Sequence, residues 1–399
     1  MRPDVAEDVR AILEEVRAGG DDAVRGLTER FDRAELGPDQ LRVDACELEG
    51  SIGVLEPEVL GGLRTAIANV RAVVRAQLPE PVDVELTQGQ RVEIVEEPVR
   101  RAGIYVPGGR AAYPSTVVMG AVTARAAGVP EIVVCAPPGP GGRAHPVILA
   151  ACVLCEVSEV YRMGGAQAIG ALAYGTASVR AVDVIAGPGN AWVQEAKRQV
   201  AFTEVGIDGI AGPSELAVIA EGRGVDPDVV ALDLIAQAEH GPDSLLWLFA
   251  PDEKLRETIV AAVERLAQER PSVADAQLDV CPLGGADALE LVEAVAPEHL
   301  ELVGEDAERL ADRVRAAGCV FVGAGAGTAF GDYVAGSNHV LPTGGAARFQ
   351  GALSPATFRR RMARVSLPGE APARLAPAGA ALARAEGFPV HAESMERRA

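Results

Sequence analysis

The chain has 399 residues, enough for two or more domains, because a single core rarely grows past roughly 250–300 residues. Its formal net charge of −20 excludes nucleic acid and anionic membrane surfaces as partners, both of which demand a basic face. Hydrophobic residues at 48% predict a well-buried globular protein, and aromatics at 4% leave little material for base stacking. No run of about 18 apolar residues offers a bilayer span. The charged start, Met1-Arg-Pro-Asp, is unlike a signal peptide, so a cytoplasmic protein is expected.

In chain order, Val5, Val9, Ile12 and Val16 fall at helical spacing, and Gly19-Gly20 is expected to end that helix. A second amphipathic helix is expected from Glu58 to Leu78. After Pro81 short β-branched runs alternate with helical stretches. The predicted strands are 103–106, 131–135, 159–162, 182–185, 216–219, 245–249 and 319–322. Apolar strands separated by helices imply parallel sheets covered on both faces, one unit over about Tyr105 to Ala217 and another over Leu216 to about Val340. Beyond Thr343 the character shifts. Arg359-Arg-Arg361 precedes an alanine-rich helix from Leu375 to Ala385, in a tail expected to be too short for its own core. Of six cysteines, only Cys152 and Cys155 are suggestively spaced; the apolar helix around them favours buried small hydrophobes over a metal or redox pair.

Four of the five histidines lie in short runs carrying acids or amides. Imidazole is the commonest metal ligand and titrates near neutral pH, so such placement points to chemistry. His145 lacks that company and reads as a loop residue. Gln237 and His240 share a face of a predicted helix, Pro227 through Glu239, as half of a metal site or as a polar helix end closed by Gly241-Pro242. Asp332 follows a glycine-rich loop at a strand end, where open α/β sheets bind ligands, or is a turn aspartate. Glu298-His299 suits paired proton transfers or is an ion-paired dyad; His339 is catalytic or a buried, hydrogen-bonded imidazole. Three glycine-rich turns, Val106-Pro-Gly-Gly109, Met163-Gly-Gly-Ala-Gln167 and Ala186-Gly-Pro-Gly-Asn190, could each aim backbone N–H groups at a phosphate. None has the usual Gly-x-Gly-x-x-Gly pattern with an acid about 20 residues on.

These segments, with Ala211-Gly-Pro-Ser-Glu215 and Glu386 five residues before His391, occur in the order found in one family. Over nearly its whole length the chain resembles histidinol dehydrogenases. The resemblance implies two Rossmann-like parallel-sheet domains with a small helical C-terminal tail, in an intertwined homodimer. It divides the chain into N-terminal helices with part of the catalytic domain (1–104), an NAD-binding domain (105–217), a catalytic, metal-binding domain (218–350) and a dimerisation tail (351–399). The implied reaction takes L-histidinol through L-histidinal to L-histidine with two NAD⁺.

By the same resemblance Gln237, His240, Asp332 and His391 bind one zinc, with His391 reaching in from the other subunit. These four residues and His299 also contact substrate, as do Ser214 and Glu386. Tyr105, Gln167 and Asn190 contact NAD, and Glu298 and His299 are the catalytic pair. Two departures stand out. The chain begins roughly 20 residues later than usual, which would shorten a terminal arm without touching the site. Arginine also replaces a frequent lysine in the Phe358-Arg-Arg-Arg-Met run. Competing readings are a related zinc- and NAD-dependent dehydrogenase of another small alcohol such as a sulfonated diol, a zinc hydrolase, and a non-catalytic metal-binding scaffold.

Overall fold

The structure, a computed structural model, describes residues 3–108 and 111–399; Gly109 of the first glycine turn lies outside them. The chain divides into two compact units. One holds the residues up to Gln77 and Arg100–Phe358, the other Leu78–Val99 and Arg359–Ala399. Its strands are β1 (Val82–Glu85), β2 (Arg91–Pro98), β3 (Arg101–Tyr105), β4 (Glu131–Ala136), β5 (Glu159–Arg162), β6 (Val184–Ala186), β7 (Gly206–Ile207), β8 (Glu215–Ala220), β9 (Leu245–Phe249), β10 (Gln277–Cys281), β11 (His299–Val303), β12 (Cys319–Val322) and β13 (Arg359–Ser366).

The larger unit contains two five-stranded parallel sheets, ordered β5-β4-β3-β6-β7 and β10-β9-β8-β11-β12. Each starts in the middle, runs outward one way, then crosses back over its first strand. The strand order therefore reverses between β3 and β6 in the first sheet and between β8 and β11 in the second. Such a reversal leaves a crevice at the strand ends, because the crossovers on either side leave in opposite directions.

Helix Pro3–Asp32 covers the first sheet's helical layer. Its Val9, Ile12, Leu13 and Val16 share a core with Ile169 and Leu172 of helix Gly165–Tyr174. As expected, the helix is interrupted at Gly19-Gly20: Gly20, at φ 55° and ψ −133°, is non-helical and kinks the span into two helices, and Val24 and Leu27 of the second join the same core. A left-handed residue is cheap only for glycine, so the chain turns there without losing helix on either side. His145 is the N-cap of helix Pro146–Leu154, its Nδ1 accepting from the Val147 N–H at 3.3 Å. Cys152 and Cys155 are buried, the first inside this helix and the second at its C-cap.

Helix Pro227–Ala238 opens with the Asp226 cap and Pro227 at its first position, both standard helix-start chemistry. It presents three faces. Val230, Leu234 and Ala238 pack on Leu216, Val218 and Leu248 of the second sheet, and Ala231 and Ile235 pack on Ala262 and Leu266. Burying each large aliphatic contributes about 1.5–3 kcal/mol, enough to hold a third, polar face with Gln237 buried and Asp233 half-buried. The helix stops at Ala238, so His240 lies in the following turn rather than on the helix, with its N–H on the Gln237 carbonyl at 3.2 Å.

The smaller unit corrects the expectation of a coreless tail. Arg359–Ser366 is a strand, paired antiparallel with β2, which pairs in turn with β1. Arg361 pairs with Glu96 at 2.7 Å and Arg364 with Glu97 at 3.3 Å, so this arginine run is a cross-strand ladder. Helix Ala371–Ala385 packs against helix Pro389–Glu396 through Ala380, Ala383 and Ala392 with Met395. Gly379 permits the approach: a Cβ there would lie 2.5 Å from the Met395 sulfur. Glu386 caps the first of these helices, and His391 lies exposed in the second, its ring 5.3 Å from Phe388.

Candidate functional site

At the carboxyl edge of the first sheet, backbone rather than side chains does the shaping. Gly187 follows β6 at φ 130°, and a Cβ there would lie 2.1 Å from the Tyr105 carbonyl oxygen at the end of β3. Only glycine lets the two central strand ends approach so closely. The turn it begins is clamped from beneath. The Gly187 N–H donates to Asp208 at 2.7 Å, while Lys197 Nζ donates to the Gly187 carbonyl at 3.1 Å and pairs with Asp208 at 2.5 Å. Gly108 and Gly164 flank Pro137, where a Cβ on either would clash at 2.4–2.5 Å.

All three expected cofactor contacts lie on this edge. Tyr105 is buried, its hydroxyl accepting from the Gly165 N–H at 3.1 Å. Gln167 occupies the first turn of the helix beginning at Gly165, and its Nε2 donates to Asp32 at 3.5 Å. Asn190 caps helix Ala191–Val200, accepting from the Trp192 and Val193 N–H groups at 3.1 and 3.2 Å. Asp32 was not expected here. Burial pushes its carboxyl up to about 6.

The second group of residues gathers at the amino edge of the second sheet. Ser214 immediately precedes β8, Glu298 precedes β11, and His299 is the first residue of β11. The sequence placed Asp332 at a strand's carboxyl end. Instead, it sits one helix later, in Thr328–Tyr333, which carries it back to this edge, where its Oδ2 lies 4.0 Å from His240 Nε2. His299 Nδ1 donates to the Glu215 carbonyl at 3.0 Å and lies 3.5 Å from Glu298 Oε2. With Nδ1 committed as donor, Nε2 is left with its lone pair. Burial, with His240 and His339 adding to it, holds the imidazole down at about 4 against the opposing pull of Asp332. It is therefore a neutral acceptor at neutral pH.

Glu298 is 7% exposed, and burial lifts its carboxyl well above the ordinary range; the nearby Glu215 and Asp332 carboxyls add to this, and the Glu215 N–H opposes it. Glu215 is the residue that the sequence reading left without a role. Its N–H donates to Glu298 Oε2 at 3.0 Å, while its own Oε2 accepts the Glu298 N–H at 3.1 Å and its Oε1 the Gly344 N–H at 2.9 Å. The reciprocal pair locks the starts of β8 and β11 together. Its position inside the Gly-Pro-Ser-Glu run was the available signal. His339 Nδ1 donates to the Asp332 carbonyl at 2.9 Å and holds that turn in place.

Gln237 is 2% exposed, and its Nε2 has no hydrogen-bond partner among the described residues. The two ends of an amide are interchangeable by a flip, so a buried polar end is available for a ligand. Among the described residues no three His, Cys, Asp or Glu side chains form a metal cluster. Gln237, His240 and Asp332 are an N/O donor set of the kind that suits a metal with room for substrate. Glu386 and His391 belong to the smaller unit.

The two edges meet at a cavity of about 150 Å³, whose lining includes Gly187, Gly189, Ser214, Glu298, His339 and Gln350. Segment 343–350 clasps the link between the sheets. Thr343 accepts from the Gly212 N–H, and Gln350 donates to the Asp208 carbonyl at 2.7 Å.

Comparison with known proteins bears on the family and the fold. The histidinol dehydrogenase family model matches residues 1–399. The chain is 44% identical to the histidinol dehydrogenase of Gluconobacter oxydans, over 99% of this chain and 93% of that protein. It is 45% identical to that of Cereibacter sphaeroides, over 99% and 92%. The crystal structure of histidinol dehydrogenase from Elizabethkingia anophelis superposes with a TM-score of 0.95 at 32% identity, covering 100% of this chain and 93% of that one. An NAD-dependent aldehyde dehydrogenase from Sinorhizobium meliloti shares the fold alone, at a TM-score of 0.51 and 15% identity over 90% and 87% of the two chains. With the family model spanning the chain and relatives this similar over almost their full lengths, the chain belongs to the histidinol dehydrogenase family.

Proposed function

We propose that the protein oxidises L-histidinol through L-histidinal to L-histidine, with two NAD⁺ and one zinc, in a site completed by a second copy of the chain. Family membership supports the reaction. The observation that carries the site is the meeting of His299, Glu298, His240 and Asp332 at one sheet edge, beside the buried, unpartnered Gln237 amide. Gln237, His240 and Asp332 would hold the zinc, with His391 of the second copy as fourth ligand. When bound, zinc supplies a Lewis-acid anchor for the imidazole and amino nitrogens of histidinol. Ser214 and Glu386 complete the substrate contacts. Tyr105, Gln167 and Asn190 would hold NAD, which accepts hydride when bound.

Each residue's environment fits its step. His299 Nε2 takes the alcohol proton as hydride leaves; its low basicity keeps it neutral, and the Glu215 carbonyl fixes its tautomer. The Glu298 carboxyl, raised by burial, is a stronger base when ionised than an ordinary glutamate, and it takes a proton from the water that adds to the aldehyde. His299 then takes the proton of the hydrate in the second oxidation. A related dehydrogenase of a sulfonated diol is not favoured by the relatives found.

Stoichiometry and metal dependence test the reading together. Two NADH should form per histidinol consumed, chelation should abolish turnover and zinc should restore it. One NADH per substrate, or full activity without metal, refutes it. Shared sites predict complementation: His391→Ala and His240→Ala proteins, inactive alone, should regain one intact site per mixed dimer. No recovery on mixing refutes sharing.

A further inference from the structure

Behind the amino-edge constellation lies a second polar cluster that the reaction does not use, with Glu301 and Thr328 buried and Asp233 half-buried. Glu301 is 1% exposed in the middle of β11. Its Oε1 accepts from both the N–H and the hydroxyl of Thr328, at 2.7 and 2.6 Å. Its Oε2 is buried and meets no N–H or O–H donor among the described residues. The Asp233 carboxyl lies within hydrogen-bonding reach of Glu301, and burial raises both carboxyls above the ordinary range, the condition under which two such groups share one proton. Gly327 makes room for this: a Cβ there would lie 2.7 Å from Asp233 Oδ1.

The spacing gives the cluster its meaning. Asp233 lies four residues before Gln237 on helix Pro227–Ala238, so the two share a face. Thr328 lies four before Asp332 on helix Thr328–Tyr333. Glu301 lies two after His299 on β11, on the same face of the sheet. Each of the three elements thus carries one residue of the proposed site and, one structural repeat away, one member of the buried cluster. A buried carboxyl pair is a poor device for stability alone, since apolar side chains of similar volume usually serve as well or better. It does impose a unique geometry, because its hydrogen bonds are satisfied in only one arrangement of the three elements.

We propose that Asp233, Glu301 and Thr328 form a buried bracket that positions Gln237, His299 and Asp332 relative to one another, and so sets the geometry of the metal donors and the base. This rests on the reading of Gln237 and Asp332 as zinc donors. The three are positioning residues, acting through the elements they tie together. Loss of such outer partners typically weakens metal affinity or activity about 10–100-fold.

The test compares Glu301→Ala with Glu301→Gln in the full-length protein. Zinc affinity of the metal-free form is read by competition with a chromophoric chelator, NAD affinity by titration, and kcat and KM for histidinol by NADH formation. Glu301→Ala should lose about 10–100-fold in zinc affinity and a comparable factor in kcat, with NAD affinity held within about threefold. Glu301→Gln should keep zinc affinity within about threefold, because its amide oxygen accepts from Thr328 and its amide N–H donates to Asp233. Should Glu301→Ala fail to fold, Thr328→Val removes one bond at constant volume and should still cost severalfold in zinc affinity. A folded Glu301→Ala protein with wild-type zinc affinity and kcat overturns the bracket, as does equal impairment of the Ala and Gln variants. Wild-type protein that binds no zinc refutes the functional reading itself, and this is seen before any variant is compared.

Discussion

The two sheets of the larger unit share one strand order, yet the functional groups gather at opposite edges of them. In the first sheet the carboxyl ends of β3 and β6 are shaped by glycine turns, and the turn at Gly187 lines the cavity. In the second, the equivalent crevice is filled by the protein itself. Glu221, just past β8, sends its Oε2 to the Gly285 N–H at 2.6 Å, at the start of helix Gly285–Val295. Its backbone N–H bonds the Val303 carbonyl at 3.0 Å, and a Cβ on Gly304 would strike the Glu221 carbonyl oxygen at 2.3 Å. An internal carboxylate thus takes the place an anionic ligand would occupy at a helix N-terminus. The candidate site residues of the second sheet gather instead at its amino edge, where Ser214 and Glu298 face the Gly187 turn of the first across the shared cavity. One topology therefore supplies two kinds of edge, one shaped by backbone and one by side chains, which the proposed function assigns to cofactor binding and proton transfer.

The side-chain edge should be the more sensitive to loss of single atoms. His299→Asn keeps an N–H donor near the Nδ1 position for the Glu215 carbonyl but removes the Nε2 base. Both oxidations should slow about 10²–10⁴-fold, with zinc content and thermal stability near wild type. Steady-state rates with histidinol and with histidinal check this. A loss confined to one substrate would break the single-base assignment.

The backbone edge should fail through its clamp. Lys197 is 1% exposed and pairs with Asp208 beneath the Gly187 turn, so Lys197→Ala leaves a buried carboxylate without its counter-ion. Breaking such a pair costs about 3–5 kcal/mol, readable by denaturant unfolding. Weaker NAD binding should accompany it, with zinc affinity retained. Equal weakening of both ligands would show that the two edges are not separable.

The smallest effect concerns Asp32, beside Tyr105 and Gln167. Its carboxyl is raised from 3.8 to about 6, so the folded state holds the proton more tightly than the unfolded state. The stability it contributes is fully present below about pH 4 and is lost as pH rises through about 6. Asp32→Asn removes that loss. The variant should match the wild type in acid and exceed it at pH 8, by about 1 kcal/mol after solvent screening of a partly exposed group. Unfolding midpoints at pH 5 and pH 8 measure the difference. A gap that does not widen with pH would show that burial is not what raises Asp32.

The strands most legible in the sequence are runs of consecutive apolar residues. Glu131-Ile-Val-Val-Cys-Ala and Leu245-Leu-Trp-Leu-Phe need no partner to be recognised. β11 escaped because His299 and Glu301 stand among its apolar residues, and both are buried by hydrogen bonds that exist only after folding. β13 escaped because Arg359-Arg-Arg361 reads as a solvated charge run until Glu96 and Glu97 are set beside it by β2. β10, an edge strand with exposed Asp279 and Val280, carries too weak a pattern to stand out.

The histidines and their acid or amide neighbours stand out in the sequence as rare polar groups against an apolar background, whereas Tyr105, Gln167, Asn190, Ser214 and Glu386 are picked out only by the family resemblance. Local chemistry also fixed most helix starts, through Asp226-Pro227 and Asn190, and the glycines that strand ends require. Which edge of a sheet those residues reach was not legible. It depends on how each crossover helix returns, a property of packing between segments far apart in the chain, such as Gly212 with Thr343, 131 residues on. The same holds for basicity. Nothing in Glu298-His299 as a dipeptide says that one group is raised and the other lowered, because both shifts arise from burial and from neighbours brought in by β8 and by helix Thr328–Tyr333. Sequence carries the donors and acceptors, and only the tertiary structure sets the dielectric and the distances that decide what they do.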